Sequence, residues 1–347
     1  MTGTDWAALR HTYFDRLAPA DVHAGAHMIE RLVVGGASID TVIREVLRPA
    51  QIEVGRRWQT NEWTVADEHA ASAVTEAALM AAAVSAPQSA GTSNGLVVLA
   101  CADGEWHTLP LRMVTEVLVA AGFQCVFLGA SVPSLHLRDY LEKARPLALA
   151  LNCSTALSLD GAGESIEAAH AAGVPVLVGG RGFGPDAHRA SRLGADAWTD
   201  EPQAAAEILA SWAAEPPVLA TSGGPNAEPV PGPAELLRIR DHVVRALCAQ
   251  FPALDAYTER QWARTNEDID FIVRFGVTAV RYDDERIVSD FAAWLREVLT
   301  ARHVPAVVFH SSVLAVADAL SDARPRTSEW VRAAADGRVA LAAFRTL

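Results

Sequence analysis

The sequence predicts an α/β domain set between two all-α segments. Three observations carry this reading. Between residues 93 and 213, short apolar runs alternate with helix-periodic stretches at the spacing of βα units. Residues 1–88 show helical periodicity alone. From Ala234 to the end the pattern is helical again, with few breaks.

In the first segment, Val22, Met28, Ile29, Leu32 and Val33 recur at helix spacing, and Gly35-Gly36 and Thr60-Asn61-Glu62 punctuate. Thr64 with Asp67 reads as a capping box that opens an Ala-rich helix running toward Ala83. A four-helix bundle over 1–88 is expected. Ser85 to Asn94 is a Pro/Ser/Gly-rich connection. Strands are then expected over 95–101, 123–128, 146–152, 174–179 and 195–198, and helices over 108–121, 133–144, 159–172, 185–193 and 201–212. Five strands joined by right-handed crossovers suit a flavodoxin-like doubly wound domain over 93–213. Residues 214–233 hold Pro216, Pro217, Gly223, Gly224, Pro225, Pro229, Pro231 and Pro233, the composition of a semi-stiff linker. Residues 234–347 form a separate helical domain, as in Phe271-Ile272-Val273-Arg274-Phe275 and Phe291-Ala292-Ala293-Trp294-Leu295.

Half of the 347 residues are hydrophobic, enough for sizeable cores, and no apolar run is long enough for a membrane span. The net charge of −13 disfavours nucleic acid, whose phosphates are held by clustered Lys and Arg. The scattered Cys101, Cys125, Cys153 and Cys248 read as reduced thiols without zinc spacing. The opening residues lack the basic and apolar regions of a secretory signal, so a cytoplasmic location is expected.

The most informative stretch is Glu105-Trp106-His107-Thr108. It follows the first expected strand, so it lies at the carboxyl edge of the sheet, where open α/β sheets bind ligands. An acid two residues before a histidine can accept a hydrogen bond from one ring nitrogen, which leaves the other as a lone-pair donor to a metal. The plain alternative is a loop histidine with no ligand. Asp103 and Thr108 belong to the same loop. Asn152-Cys153-Ser154-Thr155 ends the third strand; its small polar groups suit a buried ligand tail, or simply a Ser/Thr cap. Gly179-Gly180-Arg181-Gly182 ends the fourth, where glycines permit close backbone approach to a ligand, or merely a tight βα turn.

In this order, the helical segment, the α/β domain and the acid-x-His loop resemble cobalamin-binding proteins over residues 1 to about 213. The loop of that family is Asp-x-His-x-x-Gly; here Glu105 stands for the Asp and Pro110 for the Gly. The resemblance implies that His107 binds cobalt from below with Glu105 behind it. Trp58 followed by Glu68-His69 is similar to the cap of the light-sensing B12 regulators, which implies packing around the 5′-deoxyadenosyl group of adenosylcobalamin. Those regulators carry a histidine after the cap tryptophan, where this chain has Gln59. Amides are poor cobalt ligands beside imidazole, so a bis-histidine light state through position 59 is not expected. Residues 1–20 lead straight into the helices, so direct operator binding is not expected either.

The last segment is similar to sensor-globin-type helical domains, and the whole layout resembles photocobilins, which pair cobalamin with a bilin such as biliverdin. That resemblance implies an aromatic slot with cations for two propionates. Candidates are Tyr257, Arg260, Trp262, Arg264, Arg274, His303 and His310, with Phe271, Phe275, Tyr282, Trp294, Arg281, His242 and Cys248 nearby in sequence. Against this, aromatics at helical spacing are mostly core and helix arginines mostly solvated.

The expected function is a light-responsive cobalamin photoreceptor rather than an enzyme. It would act as a homo-oligomer or through a signalling partner in trans, with neither nucleic acid nor membrane. A corrinoid methyl carrier of a methyltransferase system is the alternative, and a B12 or haem-type sensor without photochemistry is a third.

Overall fold

The computed structural model describes residues 4–86 and 93–336. The connection expected over 85–94 lies largely outside the described residues. Two compact units divide between Gly224 and Pro225.

The first unit opens with helices α1 (Trp6–Leu17), α2 (Val22–Val34), α3 (Ile39–Val42), α4 (Arg48–Gln59) and α5 (Val65–Ser85). Side-chain caps start four of them: Asp5, Asp21 and Ser38 each accept a backbone N–H three residues on, and Thr64 and Asp67 form the reciprocal box expected. A π-helical turn, Ile43–Leu47, joins α3 to α4 without a break. It keeps Ile43, Val46 and Leu47 all buried. Ile29, Val42, Val74, Ala78 and Leu79 complete this core. Gly25 sets the α2–α5 separation, because a Cβ there would stand 2.6 Å from Val74 Cγ1.

The sheet follows: β1 (Leu96–Cys101), α6 (Leu109–Ala120), β2 (Gln124–Gly129), α7 (Ser134–Ala144), β3 (Ala148–Asn152), α8 (Leu159–Ala171), β4 (Val176–Gly179), α9 (His188–Leu193), β5 (Ala197–Trp198) and α10 (Pro202–Ala214). Its five strands are parallel in the order β2-β1-β3-β4-β5. β1 and β3 are buried throughout apart from Leu96, as the continuous apolar runs require. The chain winds outward in opposite directions from β1 and β3, so a crevice opens between the loops that follow them. Cys101 pairs with Asn152 in register, which sets those loops side by side. The N-terminal helices pack on this domain through α6: Met113 and Val117 join their core. Arg112 binds Glu76 at 3.3 Å and lies 4.2 Å from the Phe127 ring centroid.

The second unit is helical: α11 (Pro233–Gln250), α12 (Glu259–Tyr282), α13 (Arg286–Ala301), α14 (Ala306–Leu320) and α15 (Pro325–Ala335). Val243, Ile269, Val273, Phe291, Leu295, Phe309, Val313 and Val331 fill its interior. The stretch expected as a semi-stiff spacer over 214–233 contains the division between the units and is hydrogen-bonded on each side of it. Ala220 N–H donates to Asp196 and Gly223 N–H to Arg192 O in the first unit, while Arg324, itself buried, binds Glu228 and Glu235 in the second. Proline count conveyed stiffness but not these side-chain anchors. No described helix is long and apolar enough to cross a membrane.

Candidate functional site

The loop after β1 is organised by one carboxylate. Glu105 is fully buried. Its Oε1 accepts from His107 N–H at 2.8 Å and lies 2.6 Å from His107 Nδ1. Its Oε2 accepts from the backbone N–H of Ser154 at 2.6 Å and of Thr155 at 3.1 Å. A buried carboxylate without partners would cost several kcal/mol, on the order of 3–5; here every donor aimed at it is charge-assisted. Burial pushes the Glu105 carboxyl up, yet the hydrogen bonds from His107 and Ser154 prevail and hold it below the ordinary range. The same anion welds the β1 loop to the β3 loop.

The consequence for His107 is directional. With Nδ1–H given to Glu105, the neutral ring carries its lone pair on Nε2. The side chain is 69% exposed, so that edge faces open space. Glu105 lifts the His107 imidazole above its ordinary value, opposed by partial desolvation, and Glu68 on α5 adds to the lift.

The neighbours are placed with equal economy. Asn152 Nδ2 donates to His107 O at 3.2 Å and to Ser154 Oγ at 3.1 Å. Asp103 accepts from Ser131 Oγ at 2.9 Å, and Ser131 in turn accepts from Gly104 N–H. Trp106 is 73% exposed beside His107, a large apolar surface left uncovered. Thr108 precedes α6 without a side-chain cap, and Pro110 falls in the first turn, where its missing N–H costs nothing. The Pro110 departure from the family loop is thus compatible with the helix start.

Two expectations are sharpened by packing. Thr155 Oγ1 accepts from Leu157 N–H, so this hydroxyl caps a short 3-10 turn. Gly180 has φ +97°, and a Cβ there would sit 2.5 Å from Cys153 O; a Cβ on Gly179 would sit 2.9 Å from Thr199 O. The close approach these glycines permit is to neighbouring strand ends of the chain itself. Arg181 opens the short turn that follows.

In the N-terminal helices, Trp58 and Gln59 end α4, and Glu68 and His69 lie near the start of α5. Glu68 and Trp58 are half-buried, and His69 Nε2 lies 3.4 Å from Glu68 Oε2. The α4–α5 corner is clamped: Trp63 stacks on Phe14 of α1 at 5.4 Å, with the Arg57 guanidinium 4.5 Å from the Phe14 centroid. Arg56 ties Glu53 to Glu62 around the same corner.

In the second unit the candidates are spread over several elements. Tyr257 and Trp262 meet at 5.4 Å. Arg264 pairs with Glu267, Arg260, Arg274 and His303 are exposed, and His310 Nδ1 lies 3.2 Å from Ala335 O. Phe275 and Phe291 stack at 4.0 Å.

Sequence reasoning missed Ser131 and Gly161. Ser131 lies after β2 at φ +44°, and a Cβ on Gly161 would stand 2.3 Å from Asp103 O. The glycine at the start of a helix was a usable signal; the serine carried none.

A single imidazole set by a carboxylate is the donor set that suits a metal already held by a macrocycle. The class follows from comparison with known families. Residues 95–210 match the family profile described as B12 binding domain, and residues 11–82 match a second one of the same description. Together with the site, these matches support cobalamin binding by this chain. The chain is 31% identical over 139 residues to the HTH-type transcriptional repressor CarH of Myxococcus xanthus, covering 39% of this chain and 46% of that protein. It thus spans about half the length of that relative. It also superposes on the monomethylamine corrinoid protein of Methanosarcina barkeri with a TM-score of 0.51 at 19% identity, over 59% of this chain and 98% of that one. The last likeness is one of fold.

Proposed function

We propose that the chain is a light-responsive cobalamin receptor, with adenosylcobalamin held between the β1 loop and the N-terminal helices. The observation that carries this is the Glu105–His107 pair at the carboxyl edge of the sheet, in a chain whose residues 95–210 and 11–82 match B12 binding domains. His107 would offer cobalt the Nε2 lone pair of its neutral ring, and Glu105, by taking Nδ1–H, fixes the tautomer that places the lone pair there. Ser154 and Asn152 offer polar groups beside the ring for the nucleotide tail, with Gly179, Gly180 and Arg181 at the adjoining strand end. Trp58 and Glu68 cover the upper side, an indole lid and a carboxylate acceptor for ribose hydroxyls; His69 and Gln59 flank them. A bound adenosylcobalamin supplies a cobalt–carbon bond that visible light breaks. Departure of the adenosyl group would remove the partner of Glu68 and Trp58, and the helices would rearrange as a ligand-biased two-state element.

The second unit would be a globin-like sensor domain that carries biliverdin or relays the change, acting within a homo-oligomer or on a separate signalling partner rather than as an enzyme. A cytoplasmic location, without nucleic acid, belongs to the same proposal. The resemblance to CarH, a transcriptional repressor, favours the regulator reading. The corrinoid-protein fold favours a methyl carrier as the second reading.

Adding adenosylcobalamin in the dark, then green light, separates them. The receptor reading expects a bound corrinoid, a light-dependent change of spectrum and a change of size-exclusion volume. Methyl transfer from the bound corrinoid to a thiol, with a light-indifferent elution volume, would favour the carrier.

A further inference from the structure

Glu68 is tied to the interior of the N-terminal helices by a run of hydrogen bonds. Its Oε1 lies 2.9 Å from Ser72 Oγ, one turn along α5, and Ser72 Oγ lies 3.1 Å from Gln51 Oε1 on α4. Gln51 Nε2 donates to Thr75 Oγ1 at 2.5 Å, and Tyr13 of α1 donates its phenolic O–H to the same oxygen at 3.1 Å. Thr75 passes its own proton to Ala71 O. Tyr13 and Thr75 are fully buried, so α1, α4 and α5 are joined by polar groups inside an otherwise apolar core.

Proton counting exposes a conflict in this run. The Gln51 oxygen is an acceptor, and so is an ionised Glu68 carboxylate. Ser72 stands between them with one proton and can satisfy only one at a time. When it donates to Glu68, Gln51 Oε1 loses its donor, and the amide is held by its Nε2 bond to Thr75 alone. A second donor on Glu68 weakens the pull of the carboxylate on the Ser72 proton; with that proton turned to Gln51 Oε1, the amide is held at both ends, Oε1 on Ser72 and Nε2 on Thr75.

We propose that Ser72 is a two-position hydroxyl switch. It couples a hydroxyl-bearing group on Glu68 to the locking of α1 against α4 and α5. Ser72 and Gln51 are then positioning residues: they touch no ligand but report whether Glu68 is occupied. The inference rests on the adenosyl placement proposed above and names the part of the helices that reads it. Its direction is definite: ribose hydroxyls on Glu68 tighten α1, and their loss frees it.

The test compares adenosylcobalamin with methylcobalamin, both loaded in the dark. They share the corrin and the His107 bond, and only the first brings ribose hydroxyls. Bound corrinoid is read by absorbance, and hydrogen exchange is followed in the peptide covering α1. In the unmodified chain adenosylcobalamin slows α1 exchange by about fivefold more than methylcobalamin does, the worth of roughly one hydrogen bond. Ser72→Ala, a helix-favouring change that preserves folding, removes that difference with both corrinoids still bound. Gln51→Leu removes it too, and Ser72→Thr, which keeps a hydroxyl, restores it. A difference that survives Ser72→Ala overturns the switch, as does equal protection by the two corrinoids in the unmodified chain. Either result leaves corrinoid binding standing. Failure of the unmodified chain to take up either corrinoid defeats the underlying reading instead.

Discussion

The β1 loop and the helical unit beyond Gly224 are both rich in polar and aromatic side chains, yet they dispose of them in opposite ways. In the loop, Glu105 gathers donors from His107, Ser154 and Thr155, and what remains exposed is an imidazole edge and an indole. In the helical unit, Arg240 binds Asp270, Arg264 binds Glu267, and Phe275 stacks on Phe291. These groups satisfy one another. A site is distinguished less by which residue types it holds than by whether their interactions leave a reactive edge outward.

The largest test of that contrast removes the organiser. Glu105→Ala leaves buried N–H groups at Ser154 and Thr155 without an acceptor and unties two loops. It should lower stability in urea titrations by about 3 kcal/mol or more, and it should abolish corrinoid uptake. Arg264→Ala, the removal of an exposed i,i+3 pair in the other region, should change stability by about 0.5 kcal/mol or less. Comparable losses from the two would erase the distinction.

Next come the close approaches. Gly161→Ala forces a Cβ to 2.3 Å from the Asp103 carbonyl, and backbone cannot step aside. Gly276→Ala meets a Val331 methyl at 2.6 Å and a Thr327 methyl at 3.1 Å, side-chain rather than backbone obstacles. The first should cost about 2–3 kcal/mol and the second about 1. Thermal melts of both variants would sharpen the comparison, and the reverse order would break it.

A smaller effect concerns burial of charge. Burial pushes the Asp268 carboxyl up to about 6, helped by Glu267 and opposed by Arg264 and Arg302. The folded value thus exceeds the unfolded one, so the penalty is full above pH 6 and fades as pH falls toward 4. Lowering pH from 7.5 to 5 should favour this unit, and Asp268→Asn should add on the order of 1–2 kcal/mol at pH 7.5 while flattening that pH response. Glu105 is held in the opposite direction, below its ordinary range, because its donors outweigh its burial. If Asp268→Asn destabilised at pH 7.5, the carboxylate would have to be paired after all. The smallest expected effect is that Arg274→Ala leaves the melting curve within about 0.5 kcal/mol of the unmodified chain.

Much of the α/β region was legible in the chain because buried parallel strands write themselves as apolar runs. The observed β1, β3 and β4 each fall inside the expected stretch, later at the start by one to two residues. The Glu105–His107 pairing was equally legible, since both partners lie in one loop. What could not be read is whatever depends on distant backbone. Ser131 and Asn152 reach the loop only through strand order, and the glycines after β4 answer to Cys153 and Thr199, far away in sequence. The π turn at Ile43–Leu47 left no mark either, because its residues are ordinary helix formers. Nothing in the sequence singles out Ser72 or Gln51; only the fold sets them in line with Tyr13.

Binding of adenosylcobalamin to the His107→Ala chain, followed by dark absorbance titration, probes the central claim most directly. The account predicts that the substitution shifts the spectrum of any bound corrinoid away from that of the imidazole-ligated form and weakens uptake at least tenfold, about 1.4 kcal/mol or more. Uptake of equal tightness and unchanged colour would contradict it.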